Sequence, residues 1–472
     1  MNMNLELVML TAAALVTGSA VLAAGPADGK EEDQVTAILE RSLANPGDTA
    51  RIQHVLDKAR RGEKIVVGAI GGSITDGGHV GPDQRYGKRV TTWFQKTFPE
   101  IKARYVNAGV GATGSAWGAL RAQRDLLKHN PDLVIVEFAV NEPNELASAE
   151  SMEGLVRQIL KHPNHPAVIM LFTMHKTGKN SQEWQGKVGM HYDVPMVSYR
   201  DALWPEIEAG RMRWDFVTKD SVHPNVKGHE YMARFVTHVL ENELQDLPSK
   251  LALPAIKPLP QPLFTDLYEH VGLLDPKALE PVANEGWARG RTQKGEKCWK
   301  GSKPGSVIEF EIEGRGIAMI VWNFRGPMGK ARVQLDDLPP TEIDTWHKHR
   351  WGGMRVVHEL ARDLKPGKHR VRIEILEEKN PESTGHEVHL LGLGALGVGT
   401  ARRAASRTKD LPFDENRETR AWTSAKGSTV DAKLLRTVGS RVELETPEGK
   451  RMQIHLRSLS QADHEYIQSL KQ

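Results

Sequence analysis

The stretch "GAIGGSITDGG", residues 68–78, follows the apolar run "KIVV", residues 64–67. Together they predict a buried strand over residues 64–70 that ends in a pair of glycines, with Ser73 at the turn that follows. Ligands of open α/β sheets bind outside the carboxyl ends of the strands, so Ser73 lies where a nucleophile is expected. A serine at a strand-to-helix turn is also a common helix cap, and this stretch alone leaves both interpretations open.

The region from this strand to residue 247 alternates between apolar runs and helical patterns. The short β-branched runs that predict strands are residues 64–70, 103–110, 132–140, 167–174 and 195–199. The segments that predict helices are residues 85–98, 115–128, 149–162, 182–190 and 226–246. Strands that alternate with helices predict a parallel sheet covered on both faces, and we therefore interpret residues 50–247 as an α/β domain.

A proline-rich segment, residues 248–263, follows this domain and predicts a semi-rigid linker. Beyond it, apolar positions mostly alternate with polar ones, and Gly, Pro and Asn turns separate the runs. The predicted strands are residues 306–314, 316–324, 331–337, 369–378 and 386–396. The alternation is typical of an antiparallel β-sandwich, which we assign to residues 264–400. The last unit, residues 418–472, combines three or four short predicted strands with a polar helix that begins at Ser460.

Length and charge limit the possible functions. A chain of 472 residues is long enough for roughly two to four domains. Lys and Arg number 63 against 60 Asp and Glu, and the net charge of +3 gives no global attraction to nucleic acid or to an anionic membrane. The single cysteine, Cys298, cannot form an internal disulfide and has no metal-binding spacing, and we predict neither a metal nor another cofactor.

The N-terminus is typical of an export signal. An apolar run from Leu7 to Ala24 ends in small residues, as before a cleavage site, although Glu6 and no Lys or Arg precede it. A buried helix or an uncleaved anchor is the alternative. We predict that residues 1–24 direct export to a periplasm, the cell surface or the medium, and no other run predicts a membrane span.

The segment "KDSVHPNVKGHEYMARF", residues 219–235, offers a general base for such a nucleophile. Asp220 and His223 are three residues apart, so the carboxylate can accept a hydrogen bond from one ring nitrogen and leave the other as a proton acceptor. Pro224 disfavours helical geometry at His223, which we therefore expect on a loop. A surface turn without a catalytic role is the alternative, and no recognised spacing supports a metal site at His229.

Two further strand ends carry hydrogen-bond donors. "VNAGVGATGS", residues 106–115, ends the second predicted strand in small residues that leave backbone N–H groups uncovered. "EFAVNEPN", residues 137–144, ends the third with Asn141, whose side-chain amide is a donor. Such donors can stabilise the oxyanion that develops in acyl transfer, whereas tight turns and a loop cap are the alternative roles. Three strand ends and one later loop thus supply a nucleophile, donors and an Asp-His pair.

Over roughly residues 60–247, these segments resemble the sequence blocks of the SGNH/GDSL hydrolase superfamily, in the same order and at the expected strand ends. The resemblance implies a flavodoxin-like, three-layer α/β/α core with a parallel sheet, and ester hydrolysis through a covalent acyl-enzyme. It implies that the catalytic residues are Ser73, Asp220 and His223. It implies that the oxyanion donors are Ser73, Asn141 and a backbone N–H of Ala112 or its neighbours Gly111 and Gly109.

Three positions depart from the pattern of this superfamily. Gly72 stands where the GDS block has Asp, and Glu142 stands where the GxND block has Asp. Ala112 replaces the glycine that many members have, which leaves a backbone N–H in place. The spacing of Asp220 and His223 matches without departure.

The C-terminal regions carry their own signals. Five tryptophans of the sandwich region either pack in a core or stack on sugar rings: Trp287, Trp299, Trp322, Trp346 and Trp351. The phrase "GSVIEFEIEG" is similar to a β-sandwich that accompanies SGNH esterases of environmental bacteria, which implies carbohydrate-ester substrates. From Thr419, Trp422 and "SLSQADHEYIQSL" resemble a small SH3-like β-barrel first described in a yeast endocytic adaptor, which implies a peptide or surface ligand.

The function that these patterns predict is an exported serine esterase that removes acetyl or other short acyl groups from a glycan or a small-molecule ester. A lipid or thioester hydrolase is the second interpretation, disfavoured because no long apolar lid is evident. A non-catalytic glycan-binding or adhesion protein is the third. It is disfavoured because all four polar residues of the predicted site are intact.

Overall fold

The structure is a computed structural model that describes residues 29–247, 253–399, 414, 416–424, 427–438, 441–455 and 459–470. The predicted export signal and the first residues of the predicted linker, 248–252, lie outside these ranges. Within them, no helix combines the length and the apolar character needed to cross a membrane.

Six strands form the first sheet. They are β1 (Leu43–Asn45), β2 (Ile65–Gly71), β3 (Ala103–Gly109), β4 (Leu133–Glu137), β5 (Ala167–Phe172) and β6 (Met196–Ser198). Their spatial order is β1-β6-β5-β4-β2-β3, and β2 to β6 are parallel, which confirms the five predicted strands. β1 pairs antiparallel with β6 and is not predicted from the sequence, because three residues between two helices show no alternation.

Ten helices of this domain are α1 (Gly29–Ser42), α2 (Ala50–Arg60), α3 (Ser73–Asp76), α4 (Tyr86–Thr97), α5 (Ser115–Asp125), α6 (Leu146–Leu160), α7 (Gln182–His191), α8 (Tyr199–Glu208), α9 (Trp214–Val217) and α10 (Val226–Asp246). Two short 3₁₀ helices are Pro82–Gln84 and Leu127–His129. Alternate strand residues face opposite layers. Val66 and Val134 pack in a core with α5 and α6, whereas Val67 and Ile135 pack in a second core with α2, α4 and α10. The sheet is therefore covered on both faces.

Antiparallel strands follow the linker. They are β7 (Val271–Leu274), β8 (Ala283–Glu285), β9 (Trp287–Arg291), β10 (Lys297–Gly301), β11 (Val307–Glu313), β12 (Gly316–Asn323), β13 (Lys330–Leu335), β14 (Thr341–Asp344), β15 (Met354–Ala361), β16 (Lys368–Ile375) and β17 (Val388–Leu396). One sheet has the order β15-β12-β17-β10-β9 with β7 beside β17, and the other has the order β14-β13-β16-β11-β8. Side chains such as Phe310 and Val371 from one sheet and Met319 and Val321 from the other share one core.

The five strands predicted for this region are present, and six more are not predicted from the sequence: β7, β8, β9, β10, β14 and β15. Several of these are short or contain glycine, so their alternation is weak. β12 and β17 also differ from the predicted alternation, because every residue of both strands is buried. One side faces the sandwich core and the other faces the α/β domain.

The second side of β12 and β17 packs on α5 and α6. A Cβ at Gly394 would come 2.7 Å from a methyl group of Leu120 on α5, and a Cβ at Gly154 of α6 would overlap Tyr268. Arg362, at the end of β15, bonds to Glu150 on α6. We call this contact between the α/β domain and the sandwich the domain interface.

The last unit contains four strands and a helix: β18 (Thr419–Thr423), β19 (Thr429–Val438), β20 (Arg441–Glu445), β21 (Arg451–His455) and α11 (Gln461–Ser469). The strands are antiparallel in chain order. Ser460 caps α11 as predicted, and Trp422 and Leu434 pack against Ile467 of the helix. An SH3-like barrel remains a prediction.

Candidate active site

Ser73 lies at the carboxyl end of β2, where the strand passes into α3. Gly72 is the N-cap of this single-turn helix and Ser73 is its first residue, so the serine hydroxyl does not cap the helix. Ser73 Oγ lies 2.9 Å from Nε2 of His223. The hydroxyl therefore points across the strand end toward the imidazole.

His223 lies on the loop before α10, as Pro224 predicts. Its Nδ1 lies 2.8 Å from Oδ2 of Asp220, so the structure brings Ser73, His223 and Asp220 together in one hydrogen-bonded chain. Oδ1 of Asp220 accepts the backbone N–H groups of Val222 and His223, each at 2.8 Å. Burial alone would raise the pKa of Asp220, but these hydrogen bonds lower it to about 2, so the carboxylate stays ionised.

The predicted oxyanion donors lie at neighbouring strand ends. A Cβ at Gly111 would lie 3.8 Å from Cβ of Ser73, whereas the N–H of Gly109 already donates to Oδ1 of Asn107 at 2.9 Å, so Gly111 is the better candidate. Ala112 has a φ of 55°, the left-handed conformation that favours the glycine found in many members of the superfamily.

The side chain of Asn141 occupies the space beside Gly72. A Cβ at Gly72 would overlap the Asn141 amide, which gives a physical reason for glycine where the GDS block has Asp. Asn141 Oδ1 is buried and accepts no hydrogen bond from the described residues. The amide thus lies against the backbone of the residue that precedes the nucleophile.

His79 is part of this site and is not singled out by the sequence. Its ring centroid lies 4.0 Å from that of His223, with the planes inclined by 43°. Burial and the adjacent imidazole of His223 lower the pKa of His79, which keeps it neutral near pH 7. A histidine in a glycine-rich loop carries no spacing signal, so only the fold brings it to the site.

Two carboxyl groups lie at or after the end of β4: Glu137 is not singled out by the sequence, whereas Glu142 is named there as a departure from the GxND block. Glu137 is fully buried, and its oxygens accept hydrogen bonds from Thr173 (2.6 Å) and Thr75 (3.4 Å). Burial raises the pKa of Glu137 to about 7. Burial also raises the pKa of Glu142, the residue after Asn141, to about 7. Both groups are ionisable near neutral pH.

Other residues considered from the sequence lie elsewhere. His229 is buried, and its Nδ1 accepts the backbone N–H of Tyr86 at 3.2 Å. Among the described residues, no group of three His, Cys, Asp or Glu side chains has an arrangement that could hold a metal ion.

The five tryptophans of the sandwich region separate into two groups. Trp287, Trp299 and Trp322 are buried and Trp346 is half-buried, which fits the core interpretation. Trp351 is 57% exposed, and its ring lies 5.5 Å from His347 and 5.6 Å from His349.

Comparison with known proteins finds similarity to one family over part of the chain and to solved esterase structures. Residues 69–231 match the GDSL-like Lipase/Acylhydrolase family. A solved two-domain esterase active on acetylated mannans is 29% identical, with a TM-score of 0.70, over 76% of this chain and 98% of its own. A structure of that name co-crystallised with mannopentaose is 28% identical, with a TM-score of 0.68, over 77% of this chain and 99% of its own. No curated protein sequence matches the chain.

Proposed function

Because the chain carries a GDSL-like lipase/acylhydrolase domain and is a hydrolase of ester bonds, we propose that it removes acetyl groups from a glycan by a serine mechanism. The observation that carries this proposal is the hydrogen-bonded chain from Ser73 through His223 to Asp220, with distances of 2.9 and 2.8 Å, at the carboxyl edge of the sheet.

In the proposed mechanism, Ser73 Oγ attacks the ester carbonyl while Nε2 of His223 takes its proton. Ionised Asp220 stabilises the imidazolium that forms. The backbone N–H of Ser73, a backbone N–H of Gly111 or Ala112, and the Asn141 amide hold the oxyanion. The imidazolium protonates the leaving alcohol, and a water molecule activated by the imidazole then releases acetate from the serine.

The choice of substrate rests on two observations. The solved two-domain esterase that is active on acetylated mannans matches over 98% of its own length and over 76% of this chain. In addition, the sandwich presents the exposed indole of Trp351, and exposed aromatic rings can stack on sugars. We propose an acetylated polysaccharide or oligosaccharide as the substrate.

Two further predictions remain part of this proposal. Export by residues 1–24 would place the enzyme where plant or microbial polysaccharides occur. The last unit, residues 418–472, would act as an SH3-like module that holds a peptide or a surface. Export is tested by expressing the full chain and locating it among the cytoplasmic, periplasmic and extracellular fractions. Binding by the last unit is tested by measuring whether peptides or cell-surface material are retained on the immobilised full chain.

The main test uses p-nitrophenyl esters of increasing acyl length, with wild-type protein beside Ser73→Ala. We expect rapid turnover of the acetate, a fall with longer chains, and loss of activity in Ser73→Ala. Ser221→Ala, an exposed serine on the loop of Asp220, is the matched control. Turnover that survives in Ser73→Ala would contradict the mechanism, and a preference for long chains would favour a lipid hydrolase. Acetate release from acetylated mannan then tests the substrate.

A further inference from the structure

Glu142 links the two sides of the candidate oxyanion hole. It directly follows Asn141 in the chain, so its backbone is continuous with one predicted donor. Its Oε1 accepts the backbone N–H of Ser115 at 2.5 Å and the hydroxyl of Ser115 at 2.7 Å. Its Oε2 accepts the side-chain amide of Gln185 at 2.6 Å. One oxygen of Glu142 therefore accepts hydrogen bonds from α5, and the other accepts one from α7.

Ser115 is the end of the segment that carries the other predicted donors. It is fully buried and is the first residue of α5, three residues after Ala112. A Cβ at Gly114 would come 2.5 Å from Oε1 of Glu142, so the backbone before α5 approaches the carboxylate closely. The Ser115 hydroxyl also lies 2.6 Å from that of Ser151 on α6, which fixes its position further.

We propose that Glu142 is a positioning residue that holds the Asn141 amide and the candidate backbone donors Gly111 and Ala112 in one fixed arrangement. The inference rests on the proposed function, because it concerns the geometry of the same site. The residue acts through its neighbours and does not touch the reacting atoms.

The chemistry of the contacts requires two acceptor oxygens. Every group that faces the side-chain oxygens of Glu142 is a donor: an N–H and a hydroxyl on one side, and an amide on the other. A glutamine at this position would place its NH₂ group opposite one of these donors, and that contact would be lost unless the amide of Gln185 turned its oxygen toward the NH₂ group. Above its pKa of about 7, the negative charge of Glu142 at the start of the eleven-residue helix α5 also interacts favourably with the helix dipole.

The test compares Glu142→Gln and Glu142→Asp with Glu183→Gln, an exposed carboxylate on α7, as the matched control. We expect Glu142→Gln to lower kcat on p-nitrophenyl acetate by about 10- to 100-fold with KM changed less than about threefold, since a displacement of about 1 Å can cost that much. Glu142→Asp keeps two acceptor oxygens on a shorter side chain, so it should retain more activity than Glu142→Gln. Unchanged kcat in Glu142→Gln would overturn the proposal.

A double-mutant cycle with Asn141→Ala separates positioning from a general structural role. If Glu142 acts through the oxyanion donors, the double variant Asn141→Ala/Glu142→Gln should lower kcat by much less than the product of the two single-variant factors. Fully multiplicative losses would overturn the proposal. If Ser73→Ala stays active, the proposed function fails, whereas loss in Ser73→Ala with no effect of Glu142→Gln removes only the positioning role. Should Glu142→Gln not fold, the same cycle run with Glu142→Asp decides.

Discussion

The carboxyl edge of the first sheet carries the candidate site residues Ser73 and Asn141, and we call it the catalytic edge. The catalytic edge and the domain interface both bury carboxyl groups, but the groups that surround these carboxyls differ. At the catalytic edge, Glu137 is fully buried and bonds to hydroxyl groups, and among the described residues no Lys or Arg pairs with it. At the interface, Arg362 pairs with Glu150 at 2.9 Å and with Glu359 at 2.6 Å, and all three side chains are less than a tenth exposed. A buried carboxyl group therefore accepts hydrogen bonds from neutral hydroxyl groups in one region and pairs with an arginine in the other.

The pKa shifts follow this difference. Burial raises the pKa of Glu137 to about 7, because nothing positive offsets the loss of hydration. Burial would lower the pKa of Arg362, but the two carboxylates raise it overall, which keeps the cluster charged. The interface thus keeps its buried ions paired, whereas the catalytic edge carries a cost of the kind found where a fold supports chemistry.

The largest expected effect is at the interface. Arg362→Met would remove the guanidinium that pairs with Glu150 and Glu359, and breaking a buried ion pair in this way costs about 3–5 kcal/mol of unfolding free energy. Chemical denaturation of the full chain measures this value, with the exposed Arg350→Met as the control. A loss below about 1 kcal/mol would show that the interface ions are hydrated, and the contrast with the catalytic edge would disappear.

The next effect concerns activity at the catalytic edge. Asn141→Ala removes one proposed oxyanion donor, and such a loss lowers kcat by about 10²–10³, equivalent to about 2.7–4 kcal/mol. Since Asn141 Oδ1 has no partner among the described residues, we expect little change in stability. Steady-state kinetics with p-nitrophenyl acetate, beside the nearby Asn144→Ala, measures it. Unchanged turnover would remove Asn141 from the oxyanion hole.

The sequence predicts the catalytic edge better than the domain interface, and the reason is physical. A parallel strand buried on both faces is a continuous apolar run, and its carboxyl end has a fixed place in the sheet, so Ser73 and Asn141 could be placed before the structure. Contacts between elements far apart in the chain leave no such signal. The pairing of Arg362 with Glu150 spans 212 residues, and the approach of His79 to His223 depends on how two loops fold.

A third expectation is the pH dependence of stability that Glu137 introduces. Its pKa of about 7 in the folded protein is above the ordinary value of 4.5, so the folded state holds a proton that the unfolded state has lost. Stability should therefore fall as pH rises from about 4.5 to 7, by up to about 3 kcal/mol from this group. Glu137→Gln should make that part of the profile of Tm against pH less steep, although Glu142, whose pKa burial also raises to about 7, still contributes there. The exposed Glu382→Gln should leave the slope unchanged. Parallel profiles for wild type and Glu137→Gln would contradict the assignment.

The smallest expected effect is on the surface of the sandwich, where four of five tryptophans are at least half-buried and only Trp351 is exposed. The sequence alone could not separate core tryptophans from sugar-stacking ones, because both roles use the same indole. Their burial in the fold separates them. Trp351→Ala removes no core contact, so stability and turnover of p-nitrophenyl acetate should not change. On acetylated mannan, the loss of one stacked ring, about 1 kcal/mol, should raise KM several-fold. Leu338→Ala, an exposed apolar residue of the same domain, is the control. An equal KM for the polymer in wild type and Trp351→Ala would confine substrate recognition to the catalytic edge, and the sandwich would then contribute stability alone.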